Sequence, residues 1–163
     1  MPDWLLAFFV AIEQSAFALD VRQSPYIYMV ANVAHILFLM VFFAAIAVMD
    51  FRLAGAFSTT NPAALLRRVR VIAVLGFLGL VASGAVLFVA EASHVVRNPV
   101  YQFKMGLILL GLINIGWFEF FLSRRIRDVP ARVPMPGIVR FAGIASLLIW
   151  MTVAACGRLI AYV

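Results

Sequence analysis

The sequence predicts an all-α integral membrane protein, an antiparallel four-helix transmembrane bundle with an N-terminal interfacial amphipathic helix. Of its 163 residues, 66% are hydrophobic and 12% are charged, and the mean hydropathy is +1.08. A soluble globular domain is about half apolar and about a quarter charged. Lipid must therefore cover the excess apolar surface. We expect residues 1–163 to form a single membrane domain.

The first predicted element is an amphipathic segment over residues 4–19. Its apolar residues recur at helical spacing, whereas Glu13, Gln14 and Asp20 lie off the apolar face. The segment is shorter than the roughly 20 residues that a membrane span needs, and it contains Glu13. We expect a helix that lies in the membrane interface; the alternative is a fifth span.

Four long apolar runs predict the transmembrane helices. They cover residues 26–49, 71–90, 100–122 and 138–160. Pro25 suits the first turn of the first helix, and a short helix over 63–70 is expected to run into the second. Within the second span, Gly76, Gly79 and Ser83 form a stripe of small residues that allows another helix to approach closely.

The distribution of basic residues predicts the orientation. The loops 51–70 and 123–140 hold nine of the 13 lysines and arginines. The positive-inside rule places both loops in the cytoplasm and both termini outside, in a multi-pass protein of the bacterial inner membrane. The same rule explains the net charge of +6, and the chain has no nucleic-acid-binding motif, so nucleic acid is excluded as a partner.

His35 is the polar residue that lies deepest in the first span, at a depth of about 15 Å along the helix. Tyr28, Asn32 and His35 share one face at spacings of four and three residues. One interpretation is an axial ligand of haem b or a proton relay. The other is a neutral histidine that hydrogen-bonds to Asn32 or to a neighbouring helix. His94 lies in an outer loop, so this chain offers no second histidine at that depth.

Glu119 lies about one turn inside the cytoplasmic end of the third span. It is either a proton or cation site or a carboxylate paired with an arginine. The candidate arginines are Arg124, Arg125 and those of the 51–70 loop.

Asp50 and Arg52 lie at the inner end of the first span. We interpret them as a structural ion pair, with an ion or proton site as the alternative. No complete catalytic motif accompanies these residues, and we expect no enzymatic activity.

Six segments, taken in order, resemble an uncharacterised domain-of-unknown-function family of small bacterial inner-membrane proteins. They are His35 to Gly55 with the run Asp50-Phe51-Arg52-Leu53-Ala54-Gly55, Ser83-Gly84 with Leu87-Phe88, Asn98-Pro99 with Lys104, Asn114, Ser146 to Trp150, and Gly157 to Tyr162. The resemblance implies four spans after an amphipathic N-terminal stretch, and no established activity. In that pattern a glutamate often precedes the first histidine by three residues, and a histidine stands near the end of the third span. Asn32 and Glu119 occupy those positions here.

Three functions are compatible with the sequence. The first is a non-enzymatic accessory or structural subunit of a homo-oligomer or a larger inner-membrane complex. The second is a b-haem or quinone-linked electron carrier that uses His35. The third is a small proton-linked transporter that uses His35 and Glu119.

Overall fold

The computed structural model describes residues 2–127 and 129–162, in which helices predominate and no strand occurs. The helices are α1 (Asp3–Glu13), α2 (Ala16–Gln23), α3 (Pro25–Ala54), α4 (Pro62–Ala90), α5 (Ala92–Val95), α6 (Pro99–Trp117), α7 (Ser123–Ile126) and α8 (Gly137–Leu159). A π-helical turn, Phe118–Leu122, joins α6 to α7, and a 3₁₀ turn, Ile160–Tyr162, follows α8.

Four helices are long and apolar enough to cross a membrane. They are α3 with 30 residues, α4 with 29, the continuous run Pro99–Ile126 with 28, and α8 with 23. Only 17–33% of the most apolar stretch of each helix is buried inside the chain. The prediction of four such helices is confirmed, and they indicate a multi-pass membrane protein.

Local sequence signals explain where α3 and α4 begin and end. Gly55 ends α3 with φ 116°, a conformation that only glycine adopts readily. Asn61 caps α4, because its side chain accepts a hydrogen bond from the backbone N–H of Ala64 at 3.0 Å, and Pro62 opens the first turn. The expected short helix over 63–70 is continuous with the second long helix.

The N-terminal segment differs from the prediction of one helix over 4–19. The chain bends by 58° between α1 and α2, and the Ser15 side chain caps α2 by accepting a hydrogen bond from the N–H of Ala18 at 3.3 Å. This cap starts a second helix where periodicity alone predicts continuation. Helix α2 packs against α3 and α4, and Ala18 and Val21 are fully buried. The bent pair also satisfies the length and apolarity of one span.

Helix α3 is central in the packing. It contacts α4 on one side and α8 on the other, and α8 in turn contacts α6. The contact with α4 runs along the predicted stripe of small residues. A Cβ atom at Gly76 would lie 2.9 Å from the backbone nitrogen of Phe42, and one at Gly79 would overlap the ring of Phe38. The expectation that this stripe admits a helix is confirmed.

Three aromatic side chains, Phe42, Phe77 and Trp150, form what we call the aromatic layer between α3, α4 and α8. Trp150 packs edge-on against Phe42 with 4.7 Å between ring centroids, and Phe42 and Phe77 are 5.5 Å apart. On its other side Trp150 contacts α6 at Gly111, where a Cβ atom would lie 2.8 Å from the indole ring. All four long helices therefore meet at this layer.

We expect Gly76→Ala to destabilise the protein by about 1–3 kcal/mol, because the new methyl group must push α4 away from the backbone of α3. Reversible unfolding in mixed detergent micelles measures the loss. Gly137→Ala on α8 is the control, since nothing lies within 4 Å of a Cβ atom there. Equal stability of the two variants would contradict the close contact.

Candidate functional site

The imidazole of His35 is held by α4. Its Nδ1 lies 3.0 Å from the hydroxyl oxygen of Ser83, and the Ser83 hydroxyl donates to the carbonyl of Gly79 at 2.6 Å. Because the single hydroxyl hydrogen is used in that bond, we assign the proton between the two side chains to Nδ1 of His35. The neutral imidazole then has its lone pair on Nε2.

The structure shows His35 hydrogen-bonded to a neighbouring helix and not to Asn32. Asn32 and Tyr28, which share the predicted face, are exposed and form no described hydrogen bond with His35. Gly84 allows the approach of α4, because a Cβ atom there would lie 3.2 Å from Cε1 of His35. The partner of the histidine is thus the small-residue face of α4.

Lys104 on α6 adds a positive charge near His35. Its side chain is partly buried, and a Cβ atom at Gly157 of α8 would lie 3.5 Å from the ammonium nitrogen. The charge acts electrostatically on His35. The ammonium forms no ion pair with any carboxylate of the described residues. We call His35, Ser83 and Lys104 the histidine site.

The predicted ion pair between Asp50 and Arg52 is wrong. Residues two apart on a helix point in different directions and do not meet, and no ion pair joins these two described side chains. Asp50 faces the hydroxyl of Ser146 on α8, and its Oδ2 is buried without a partner. Arg52 donates from Nε to the carbonyl of Thr60 at 2.9 Å, and its Nη2 is buried without a partner.

Glu119 forms the alternative interaction that the sequence left open, an ion pair with an arginine of the 51–70 loop. Its carboxylate oxygens lie 2.7 and 2.9 Å from the two terminal nitrogens of Arg70. Both side chains are more than two-fifths exposed. An exposed pair of this kind contributes at most about 1 kcal/mol to stability, so its main effect is to tie the π-helical turn to the start of α4.

The candidate residues do not converge on one site. Ser83 and Arg70 mark the positions of His35 and Glu119 along α4, and their separation of 13 residues is about 20 Å. Asp50 follows His35 by 15 residues on α3, which is about 22 Å. The aromatic layer lies between these levels, since Phe42 stands on α3 between His35 and Asp50.

A cluster around Glu13 was not predicted from the sequence. Its carboxylate accepts a hydrogen bond from the N–H of Ser93 at 2.8 Å and pairs with Arg22 at 3.1 Å. Arg22 also donates to the carbonyl of Ala90 at 3.3 Å. The signal was a glutamate inside an apolar segment, but its partner Ser93 lies 80 residues away. The cluster attaches α1 and α2 to the end of α4.

Two cavities lined by arginine lie at the end of the molecule that carries the arginine-rich segments. One of about 480 Å³ is bordered by Arg67, Arg70, Glu119 and Arg127. The other, of about 280 Å³, is bordered by Arg52, Arg132 and Arg140. The sequence showed the excess of arginine here, but it did not show that the side chains surround cavities.

Models of protein families, curated proteins and solved structures all give no match to this chain. Functional interpretation therefore starts from the contacts of the residues described above.

We expect the Glu13 cluster to weaken in acid. The hydrogen bonds from Ser93, helped by Arg22, hold the pKa of the Glu13 carboxyl below its ordinary value of 4.5. A depressed folded-state pKa adds stability that is complete above the unfolded value and is lost as the pH falls through the folded one. The difference in thermal unfolding midpoint between wild type and Glu13→Gln should therefore shrink as the pH is lowered from 6 to about 3. A difference that stays constant over this range would contradict the role of the carboxylate.

Proposed function

We propose that this chain is a multi-pass protein of the bacterial inner membrane with four antiparallel transmembrane helices, and that it functions as a non-enzymatic subunit of a homo-oligomer. The arginine-rich segments 51–70 and 123–140 lie on the cytoplasmic side, as the positive-inside rule requires. Helices α1 and α2 lie at the outer surface, where the Glu13 cluster holds them to the end of α4. The single observation that supports a homo-oligomer is an exposed face of α6 that carries two glycines.

Helix α6 has two faces of different kinds. One face packs against α8, where Gly111 meets Trp150. The opposite face carries residues at alternating spacings of three and four, a pattern typical of a helix–helix seam. These residues, which we call the α6 seam, are Gly106, Leu109, Ile113 and Gly116 on α6, together with Phe120 in the π-helical turn that follows it.

The α6 seam has no partner within the described chain. Leu109, Ile113 and Phe120 are 60%, 57% and 76% exposed. No atom lies within 4 Å of a Cβ atom built at Gly106 or at Gly116. Lipid covers an apolar surface as readily as protein does, so what favours association in a membrane is close backbone approach at small residues. The two glycines provide that approach.

A second copy of the chain is the partner that this seam suits best. Two α6 helices related by a twofold axis present the same residues to each other, which makes the surface self-complementary. The polar groups capable of chemistry are distributed among separate levels of the helices. This distribution favours a role in assembly over catalysis.

Cysteine cross-linking tests the proposed contact. In a Cys156→Ala background, which removes the one native cysteine, we expect Ile113→Cys to form a disulfide-linked dimer in membranes under mild oxidation. Leu78→Cys on α4 is the matched control, since Leu78 is also 57% exposed but lies away from α6. Adding Gly106→Leu and Gly116→Leu should weaken association by at least about tenfold, or about 1.4 kcal/mol, in a dilution series followed by subunit counting. A protein that is monomeric at all protein-to-lipid ratios would overturn the proposal.

Electron transfer at His35, through haem b or a quinone, is the second candidate function. The favouring observation is the Ser83 hydrogen bond, because a histidine ligand usually donates its other ring N–H in this way and presents a neutral nitrogen to the metal. His35 could supply one axial ligand of a haem through Nε2. His94 does not fit the second axial position. It lies on α5, beyond the end of α4, and that end is about 10 Å from Ser83 along the helix. The second ligand would have to come from another protomer.

The absorption spectrum of protein expressed with haem available separates these functions. An electron carrier should show a Soret band and a sharp reduced α-band, both lost in His35→Ala and shifted in Ser83→Ala, because the hydroxyl orients the ring. Folded protein without absorption above 300 nm would remove haem from consideration.

Proton-linked transport through His35 and Glu119 has less support, because about 20 Å and the aromatic layer separate the two residues.

A further inference from the structure

The smaller arginine-lined cavity lies where α3 ends and α8 begins. Its volume is about 280 Å³, and the described residues that line it include three arginines and no carboxylate. We call Arg52, Arg132 and Arg140 the arginine triad. Three positive charges around one small cavity repel each other unless an anion or solvent lies between them.

Backbone contacts build this cavity. Gly55 reverses the chain after α3 by adopting positive φ, which places Ser58 near the segment before α8. The N–H of Arg132 donates to the carbonyl of Ser58, and Nε of Arg140 donates to the carbonyl of Ala54 at 3.1 Å. Two separate hydrogen bonds therefore hold the rims in place.

Arg52 forms the floor of the cavity. Its side chain is 1% exposed, and the one acceptor that it has among the described residues is the carbonyl of Thr60, bonded to Nε. Nη2 is buried without a partner. A buried guanidinium with an unsatisfied donor is unfavourable, and the charge of an anion in the adjoining cavity would offset that of the guanidinium.

Among the described residues, no carboxylate pairs with the arginine triad. Asp50 is the acidic residue closest in sequence on α3, but it faces Ser146 on α8 and forms no ion pair with Arg52 among the described residues. The larger cavity differs in this respect, since Glu119 already pairs with Arg70 on its border. Of the two cavities, the smaller one is therefore the one whose positive charge has no carboxylate partner among the described residues.

We propose that the arginine triad binds a phosphate group. Guanidinium groups offer planar pairs of N–H donors that match two phosphate oxygens, and an ionised acceptor strengthens each bond. A cavity of about 280 Å³ holds a phosphate with a small substituent and excludes acyl chains. The phosphate belongs either to the headgroup of an anionic phospholipid or to a phosphate-bearing solute.

Thermal unfolding in a neutral detergent tests the proposal and separates the two sources. One series adds inorganic phosphate at constant ionic strength, balanced with chloride. A second series adds dioleoyl phosphatidylglycerol to the micelles, with dioleoyl phosphatidylcholine for comparison. We expect a saturating rise of the unfolding midpoint in at least one series. Stabilisation by inorganic phosphate indicates a solute site, and stabilisation by phosphatidylglycerol alone indicates a lipid headgroup.

Arg132→Gln is the diagnostic variant, because the described hydrogen bond of Arg132 uses its backbone, so the fold should be kept. We expect its apparent affinity for the stabilising phosphate source to fall by at least about tenfold. We expect the double variant Arg132→Gln with Arg140→Gln to show no stabilisation. Arg125→Gln is the matched control, since it loses the same charge from an exposed arginine that does not line the cavity.

The control should bind as wild type does. Stabilisation by neither phosphate source would overturn the proposal. So would equal losses in Arg132→Gln and Arg125→Gln, which would indicate a general charge effect.

Discussion

The close contact between α3 and α4 is the constraint on which the rest of the structure depends. Gly76 and Gly79 remove the side chains that would separate the two backbones, and Ser83 continues the same stripe as the partner of His35. In a membrane, lipid surrounds a helix with an apolar environment similar to that of a protein core. The packing energy therefore comes from dispersion contacts of this kind and from hydrogen bonds between helices, rather than from the hydrophobic effect. The position of the histidine therefore follows from the same feature that joins the helices.

The aromatic layer then divides what the helices enclose. Trp150 reaches Phe42 on α3, Phe77 on α4 and Gly111 on α6, so its bulk fills the level where the four long helices meet. Polar groups are left at two separate levels, with the histidine site on one side and Asp50 with its Ser146 neighbour on the other. A function that needs a continuous polar path is poorly served by this arrangement, whereas assembly or a ligand at one level is compatible with it.

Charge at the arginine-rich end is only partly balanced within the chain. Glu119 offsets Arg70, but the arginine triad faces a cavity whose described lining residues include no carboxylate. Positive charge near a membrane surface sets orientation during insertion, and such charge also attracts the anionic groups found there. The same residues thus underlie both the proposed orientation and the proposed phosphate site.

The sequence by itself determined the four long helices, because the length of an apolar run and the residues at its ends are local properties. Asn61-Pro62 and Gly55 mark helix ends that can be read directly, and the stripe on α4 predicts that a helix packs there. Tertiary structure alone decided which helix that is and which partners the charged residues find. Ser83 is 48 residues from His35, Arg70 is 49 from Glu119, and Ser93 is 80 from Glu13. The predicted ion pair between Asp50 and Arg52 relied on their closeness in sequence. Their side chains leave the helix in different directions, so the surroundings of each charge depend on the helix that packs on that side.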